Sequence, residues 1–136
     1  MCQIVYPMET PRLKLSLLPN LLAVSRLPAG EGIPGWAQNG DFFSISSAAG
    51  EVSVISASDY VPDGVRASHG WRAIKIEGPL DLDLVGILVS VAVPLAQAGV
   101  GILPVGTFDT DYILVRDRQL AQALRALRAT GFEIQE

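Results

Sequence analysis

Apolar residues fall into two periods along this chain, and the change between them marks most of the secondary structure. From residue 71 the reading is clean. Residues 71–76 are apolar enough for a strand, which the turn pair Gly78-Pro79 ends. Leu84, Ile87, Leu88, Val91 and Leu95 then recur at spacings of three and four, which predicts a helix capped by Asp81 or Asp83 and running to about Ala98. Pro94 removes one backbone donor inside that helix, so a bend is expected there and not a break. Gly99 ends the helix, and residues 101–105 and 111–115 read as strands joined by a turn over 107–110. Asp117 is the predicted cap of a second helix. Its buried stripe is Leu120, Leu124 and Leu127, while Gln122, Arg125 and Arg128 face outward. Gly131 stops it before a last short strand at 132–134.

This order, β-α-β-β-α-β, is the split arrangement in which two right-handed units interleave into one antiparallel sheet with both helices on one face. It puts the strand at 101–105 on an edge, where the missing N–H of Pro104 is tolerated. The first half is less regular. Apolar stretches at 13–18 and 21–27 are separated by the turn-favouring pair Pro19-Asn20 and read as short strands. Residues 28–40 are rich in Gly and Pro and hold at most a short helix around 33–37. Residues 41–46 and 51–56 form a predicted hairpin through Ala48-Ala49-Gly50, and 62–70 is the best linker. The fold class is therefore α+β. Two ferredoxin-like units are expected, a shortened one over residues 1–66 and a complete one over 67–136, with antiparallel sheets and helices on one face. A 66-residue unit buries little by itself, so the halves should share a sheet or core.

Bulk composition narrows the function classes. With 136 residues, 49% of them hydrophobic and 18% charged, the chain is globular and has no apolar run long enough for a membrane span. Residues 1–10 lack a basic start followed by an apolar block, so a cytoplasmic location is expected. A formal net charge of −4 argues against nucleic acid as a partner. Cys2 is the only cysteine and His69 the only histidine, so no thiolate metal cluster can form within one chain, and His69 reads as an exposed loop residue. No nucleophile elbow or phosphate-cradling loop is present, and neither a cofactor nor catalysis is expected.

Three features of the second half converge on binding. Unpaired amides at the helix start Leu84-Val85-Gly86-Ile87 can hold a carboxylate, although Gly86 equally suits tight helix packing. The turn from Gly106 to Tyr112 places Thr107, Phe108, Asp109, Thr110 and Asp111 between apolar strands. A partly buried Asp111 is costly unless it meets a cation, whereas solvated turn aspartates are the commoner fate of such a pair. Gly101 and Ile102 on the edge strand offer backbone groups to a ligand or to a second subunit, or simply follow the end of the helix.

The same residues carry a resemblance. Glu77-Gly78-Pro79-Leu80, Val85-Gly86-Ile87, Pro94-Leu95-Ala96 and the run from Gly106 through Thr107, Phe108, Thr110, Asp111 and Tyr112 to Val115 resemble the ACT-domain family, in the branch related to the CASTOR arginine sensors. The resemblance extends through Arg116-Asp117 and Leu120, and more weakly to the first-half hairpin. It implies a tandem-repeat regulatory domain that binds an amino acid between paired ACT units. Carried over by position, Val85, Gly86, Ile87, Thr107, Phe108 and Asp111 line the pocket from one subunit, and Gly101 and Ile102 reach in from the other. A complete site then requires a homodimer. Leu84, Ala98 and Gly101 stand where the arginine-sensing site has a glutamate, a histidine and a serine, so arginine itself is not specified. Asp111 matches the aspartate that reads the side chain, which favours a cationic amino acid. The alternative is a protein-interaction module with a vestigial pocket, and a small enzyme is the third reading.

Overall fold

In the computed structural model, residues 13–136 are described; Cys2 and residues 1–10, read above as free of a leader, lie outside them. Eight strands form one sheet: β1 (Lys14–Leu17), β2 (Leu22–Leu27), β3 (Ser44–Ala48), β4 (Glu51–Ala57), β5 (Ala67–Ile76), β6 (Ile102–Gly106), β7 (Asp111–Arg116) and β8 (Glu133–Gln135). Two helices accompany them, α1 (Ile87–Gln97) and α2 (Leu120–Thr130). Short 3-10 turns occupy Gly35–Gln38, Ser58–Tyr60 and Asp117–Gln119.

The ten-residue strand β5 joins the halves, because β2 pairs with its first part, β1 with its last part, and β7 runs along its opposite edge. Both β1 and β2 are antiparallel to β5, so Pro19-Asn20 does not reverse the chain. Leu18 N–H still donates to Ala73 C=O at 2.9 Å, and pairing resumes at Leu22 opposite Trp71. Residues 19–21 therefore bulge outward against the single residue Arg72, and Pro19, which has no N–H, sits in the gap in the ladder. Arg72 donates to Leu18 C=O at 3.1 Å and so satisfies the acceptor left at the bulge.

A second irregularity corrects the expected linker. Strand β5 already begins at Ala67, so His69 and Gly70 belong to the sheet, where one residue of β2 faces two of β5. Gly70 has φ 83°, the left-handed conformation that a bulge of this kind requires. His69 Nδ1 lies 2.5 Å from Ser58 Oγ, a local contact of strand with turn.

One pair departs from the expected antiparallel arrangement. Strand β1 lies between β5 and β8, and β1 with β8 is parallel. In a simple β-α-β-β-α-β unit the last strand would pair directly with the first; here a strand from the chain's beginning is inserted between them. Leu15 explains why. It is 1% exposed and packs in the main core with Ile74, Ile76, Ile113, Val91, Leu95, Leu124 and Leu127, between sheet and both helices. The opposite face carries Ala73 and Leu114, clustered with Leu22 and Ile55 and flanked by Phe42, whose ring centroid is 4.6 Å from Tyr112. In the first half Ala37, on the 3-10 turn, packs with Val52 and Val54.

Helix ends follow local chemistry. Gly99 (φ 77°) terminates α1, with Val100 N–H donating to Leu95 C=O at 2.9 Å and Gly99 N–H to Ala96 C=O at 3.0 Å. Pro94 is accommodated within a single helix. Helix α2 begins at Leu120, and Asp117 starts the preceding 3-10 turn instead of capping the helix. Its buried stripe is Ala123, Leu124 and Leu127, with Leu120 partly exposed. Among the described residues strand β6 pairs with β7 alone and is an edge, as Pro104 predicts.

Candidate functional site

The start of α1 lies later than the spacing predicts. Asp81 does not cap it; its Oδ1 accepts from Asp83 N–H at 2.9 Å and its C=O from Leu84 N–H at 3.1 Å, closing a separate turn over 81–84. Leu84 thereby leaves the helical stripe and is 46% exposed. Gly86 takes the cap position with φ 83°, and no side chain caps the helix. The ladder at this end opens with Ser90 N–H donating to Gly86 C=O at 2.9 Å, so the amides of residues 87–89 precede it.

The turn joining β6 to β7 faces this helix start. Thr107 N–H and Oγ1 both donate to Thr110 C=O, at 2.8 and 3.0 Å, and Thr110 N–H donates back to Thr107 Oγ1 at 3.2 Å. Thr107 is thus engaged in holding the turn. Thr110, 6% exposed, donates its hydroxyl to Ile76 C=O, and Leu80 N–H donates to Asp109 C=O at 2.7 Å. These bonds fasten the loop after β5 to the turn before β7. A Cβ on Gly78 would lie 2.9 Å from Asp109 O and 3.0 Å from Leu80 N, so only glycine permits the approach. We expect Gly78→Ala to force the two walls apart and to destabilise the fold by about 1–3 kcal/mol, read as a lowered thermal midpoint.

Between these walls lies a cavity of about 210 Å³, lined by Leu80, Asp81, Leu82, Leu84, Ile87, Gly106, Thr107, Phe108, Thr110 and Asp111. Four of the eight residues singled out from the sequence, Ile87, Thr107, Phe108 and Asp111, meet there. Val85 and Gly86 adjoin it at the helix start without lining it, and Gly101 and Ile102 lie toward the far end of β6, about 13 Å along the strand from Gly106. The wall also takes in Leu80, Asp81 and Leu82, which the sequence does not single out for binding, together with Leu84 of the expected helix start and Gly106 and Thr110 of the expected turn. For Leu84 the helical spacing pointed the other way, toward the core.

No lysine or arginine lines the cavity, and among the described residues neither Asp81 nor Asp111 forms an ion pair. Asp111 is half-buried at the start of β7, where the Cβ that Gly106 lacks would come within 3.3 Å of its Oδ1. The rim is apolar and open, with Phe108 81% exposed and Val85 77%. Chemically the site offers carboxylate acceptors and backbone donors around a greasy wall. It holds no nucleophile paired with a base, and among the described residues no group of side chains suited to a metal ion is present.

Comparison with known proteins agrees with this geometry. The family model described as "ACT domain" matches residues 66–129, and a second model, described as an N-terminal domain, matches residues 21–64. The chain is 39% identical to an Agobacterium tumefaciens protein of known crystal structure, with TM-score 0.86 over 92% of this chain and 93% of that one. It is 26% identical over 132 residues to the cytosolic arginine sensor for mTORC1 subunit 1 of Bos taurus, covering 90% of this chain but 40% of that protein. The ligand-free regulatory subunit of aspartate kinase from Thermus thermophilus shares the fold at TM-score 0.62 and 12% identity, over 86% of this chain and 97% of that one. Fold and family model together define a ferredoxin-like α+β domain. Residues 66–129 are an ACT domain, and the chain is related to the arginine sensor of the bovine match.

Proposed function

We propose that this chain is a regulatory protein that binds a free amino acid, with a cationic side chain favoured, in a pocket completed by a second copy of itself. The observation that carries the reading is the unpaired, half-buried Asp111 in a 210 Å³ cavity that also contains Ile87 of the α1 start and no cationic side chain. A ligand carboxylate suits the helix amides and a ligand cation suits Asp111. The bovine relative's description as an arginine sensor supports the same ligand class. It also supports a cytosolic site of action, and no helix among the described residues is long and apolar enough to cross a membrane.

Size and register support the dimer. Ligand pockets commonly measure about 300–1,000 Å³, and a second copy across the mouth would enlarge the single-chain cavity of about 210 Å³ toward that range. Among the described residues β6 has one free edge, and a two-fold-related second β6 beside it would bring Ile102 of one copy toward Gly106 of the other, with the two Pro104 residues at the centre donating no ladder bond. That register carries Gly101 and Ile102, remote from the cavity in their own chain, to the mouth of the second copy's cavity. Val85, Gly86, Ile87, Thr107, Phe108 and Asp111 then form one side, with Gly101 and Ile102 on the other.

The test is thermal unfolding of the full chain against the twenty amino acids, with sedimentation in parallel. A bound amino acid at a hundredfold excess over its Kd should stabilise the protein by about 2.7 kcal/mol, and the sedimenting species should be a dimer. No shift with any of the twenty sinks the reading. The exposed rim of Leu82, Val85 and Phe108 favours a second reading, an interaction surface for another protein. A stable partner whose affinity ignores amino acids would select it.

A further inference from the structure

The binding reading above leaves the ligand's ammonium group unassigned, and the shape of the cavity gives it a position. An α-amino acid carries its carboxylate and ammonium on one carbon, so whatever holds the carboxylate must stand beside an acceptor for the ammonium. The α1 amides and Asp111 belong to opposite walls, one on the loop and helix after β5, the other on β7. Asp111 therefore faces the distal end of a ligand whose carboxylate sits at the helix.

Asp81 is on the helix side. It lines the same cavity as Ile87 and Asp111, five residues before the Gly86 cap. Asp83 N–H occupies its Oδ1 at 2.9 Å, which orients the carboxylate and leaves the second oxygen available. Among the described residues no lysine or arginine neutralises it. Leu80, Leu82, Leu84, Ile87 and Phe108 supply apolar surface in the same cavity, suited to an aliphatic chain joining two cationic ends.

We propose that Asp81 receives the ligand's α-ammonium and is a specificity-determining residue, so that the pocket selects molecules bearing two cationic groups and one carboxylate. This inference rests on the amino-acid reading. It excludes diamines, which offer the helix amides no anion, and it disfavours neutral amino acids, which leave Asp111 unpaired.

Titration calorimetry of the full chain with arginine, and with 5-guanidinopentanoate, which lacks the α-ammonium, tests the assignment. Wild type should bind arginine roughly ten- to a hundredfold more tightly than the analogue. Asp81→Asn should lose that same factor for arginine and leave the analogue unchanged, whereas Asp111→Asn should weaken both. Asp83→Asn, which alters an acid on the same turn outside the cavity wall, should change neither, so a general loss of negative charge is separated from a specific contact. Asp81→Glu, expected to restore part of the arginine preference, reports on the contact if the Asn variant melts early. Arginine binding to Asp81→Asn at wild-type strength, or equal losses for both ligands, overturns the inference and leaves the amino-acid reading standing. A wild-type chain that binds neither arginine nor lysine overturns the inference, and one that binds none of the twenty amino acids overturns both.

Discussion

Replacing Asp111 by alanine is expected to weaken binding of a cationic amino acid by about 3 kcal/mol, roughly a hundredfold or more in Kd. The carboxylate is half-buried and, among the described residues, has no cation partner and faces a cavity without lysine or arginine, so a ligand guanidinium or ammonium can supply its counter-charge. Removing it leaves the ligand cation desolvated against apolar walls, the costlier half of a broken pair. Fold stability should change little, because among the described residues Asp111 has no side-chain hydrogen bond that its loss would break. Calorimetry of the variant beside its thermal midpoint separates the two effects. A midpoint unchanged without ligand, together with an undiminished affinity, would remove Asp111 from the site.

Leu15→Ala carries the largest expected effect on stability. Leu15 is 1% exposed on a strand of four residues, between Ile76 of β5 and Ile134 of β8. Deleting a buried leucine side chain costs about 2–5 kcal/mol through lost transfer energy and the cavity left behind. At about 3 kcal/mol, the midpoint of a chain this size should fall by roughly 10 °C, measured by circular dichroism. The consequence is topological as well. Among the described residues strand β8 pairs with β1 alone, so loosening β1 also loosens β8. A midpoint within 2–3 °C of wild type would mean that the inserted strand contributes little to the common core. The proposed division near residue 66 is one of sequence organisation; β1 ties the early chain into the later unit's sheet, and a segment starting at residue 67 would lack that strand.

The legible parts of the sequence were those set by local rules. Helix α2 ends where Gly131 supplies φ 108°, and β6 is the edge that Pro104 required. The hairpin of β3 and β4 turns at Gly50, φ 80°, close to its expected place. Misplacements arose where two local signals competed. Asp81 satisfies both a helix cap and a turn, and the turn wins because Gly86, five residues later, reaches the left-handed conformation that starts α1 without strain. Pro19-Asn20 suits a reversal and a bulge alike. The outcome depends on β5, a partner fifty residues distant in sequence, which continues alongside both flanking strands.

Of the candidate site, the sequence supplied Ile87, Thr107, Phe108 and Asp111, because a helix start and a turn are local objects whose donors and acceptors can be read residue by residue. It did not supply Leu80, Asp81 or Leu82, which became wall only when Leu80 N–H met Asp109 C=O across the sheet. By itself the sequence determined the α+β class, the order of the second-half elements and the place of Asp111 where the β6–β7 turn ends, since hydrophobic period, glycine and proline act within a few residues. Tertiary structure alone decided that β1 enters the later sheet and that the 80–84 loop closes on the β6–β7 turn. Both are pairings between distant backbone segments, chosen by which arrangement buries Leu15 and satisfies the freed amides, and no local pattern encodes that choice.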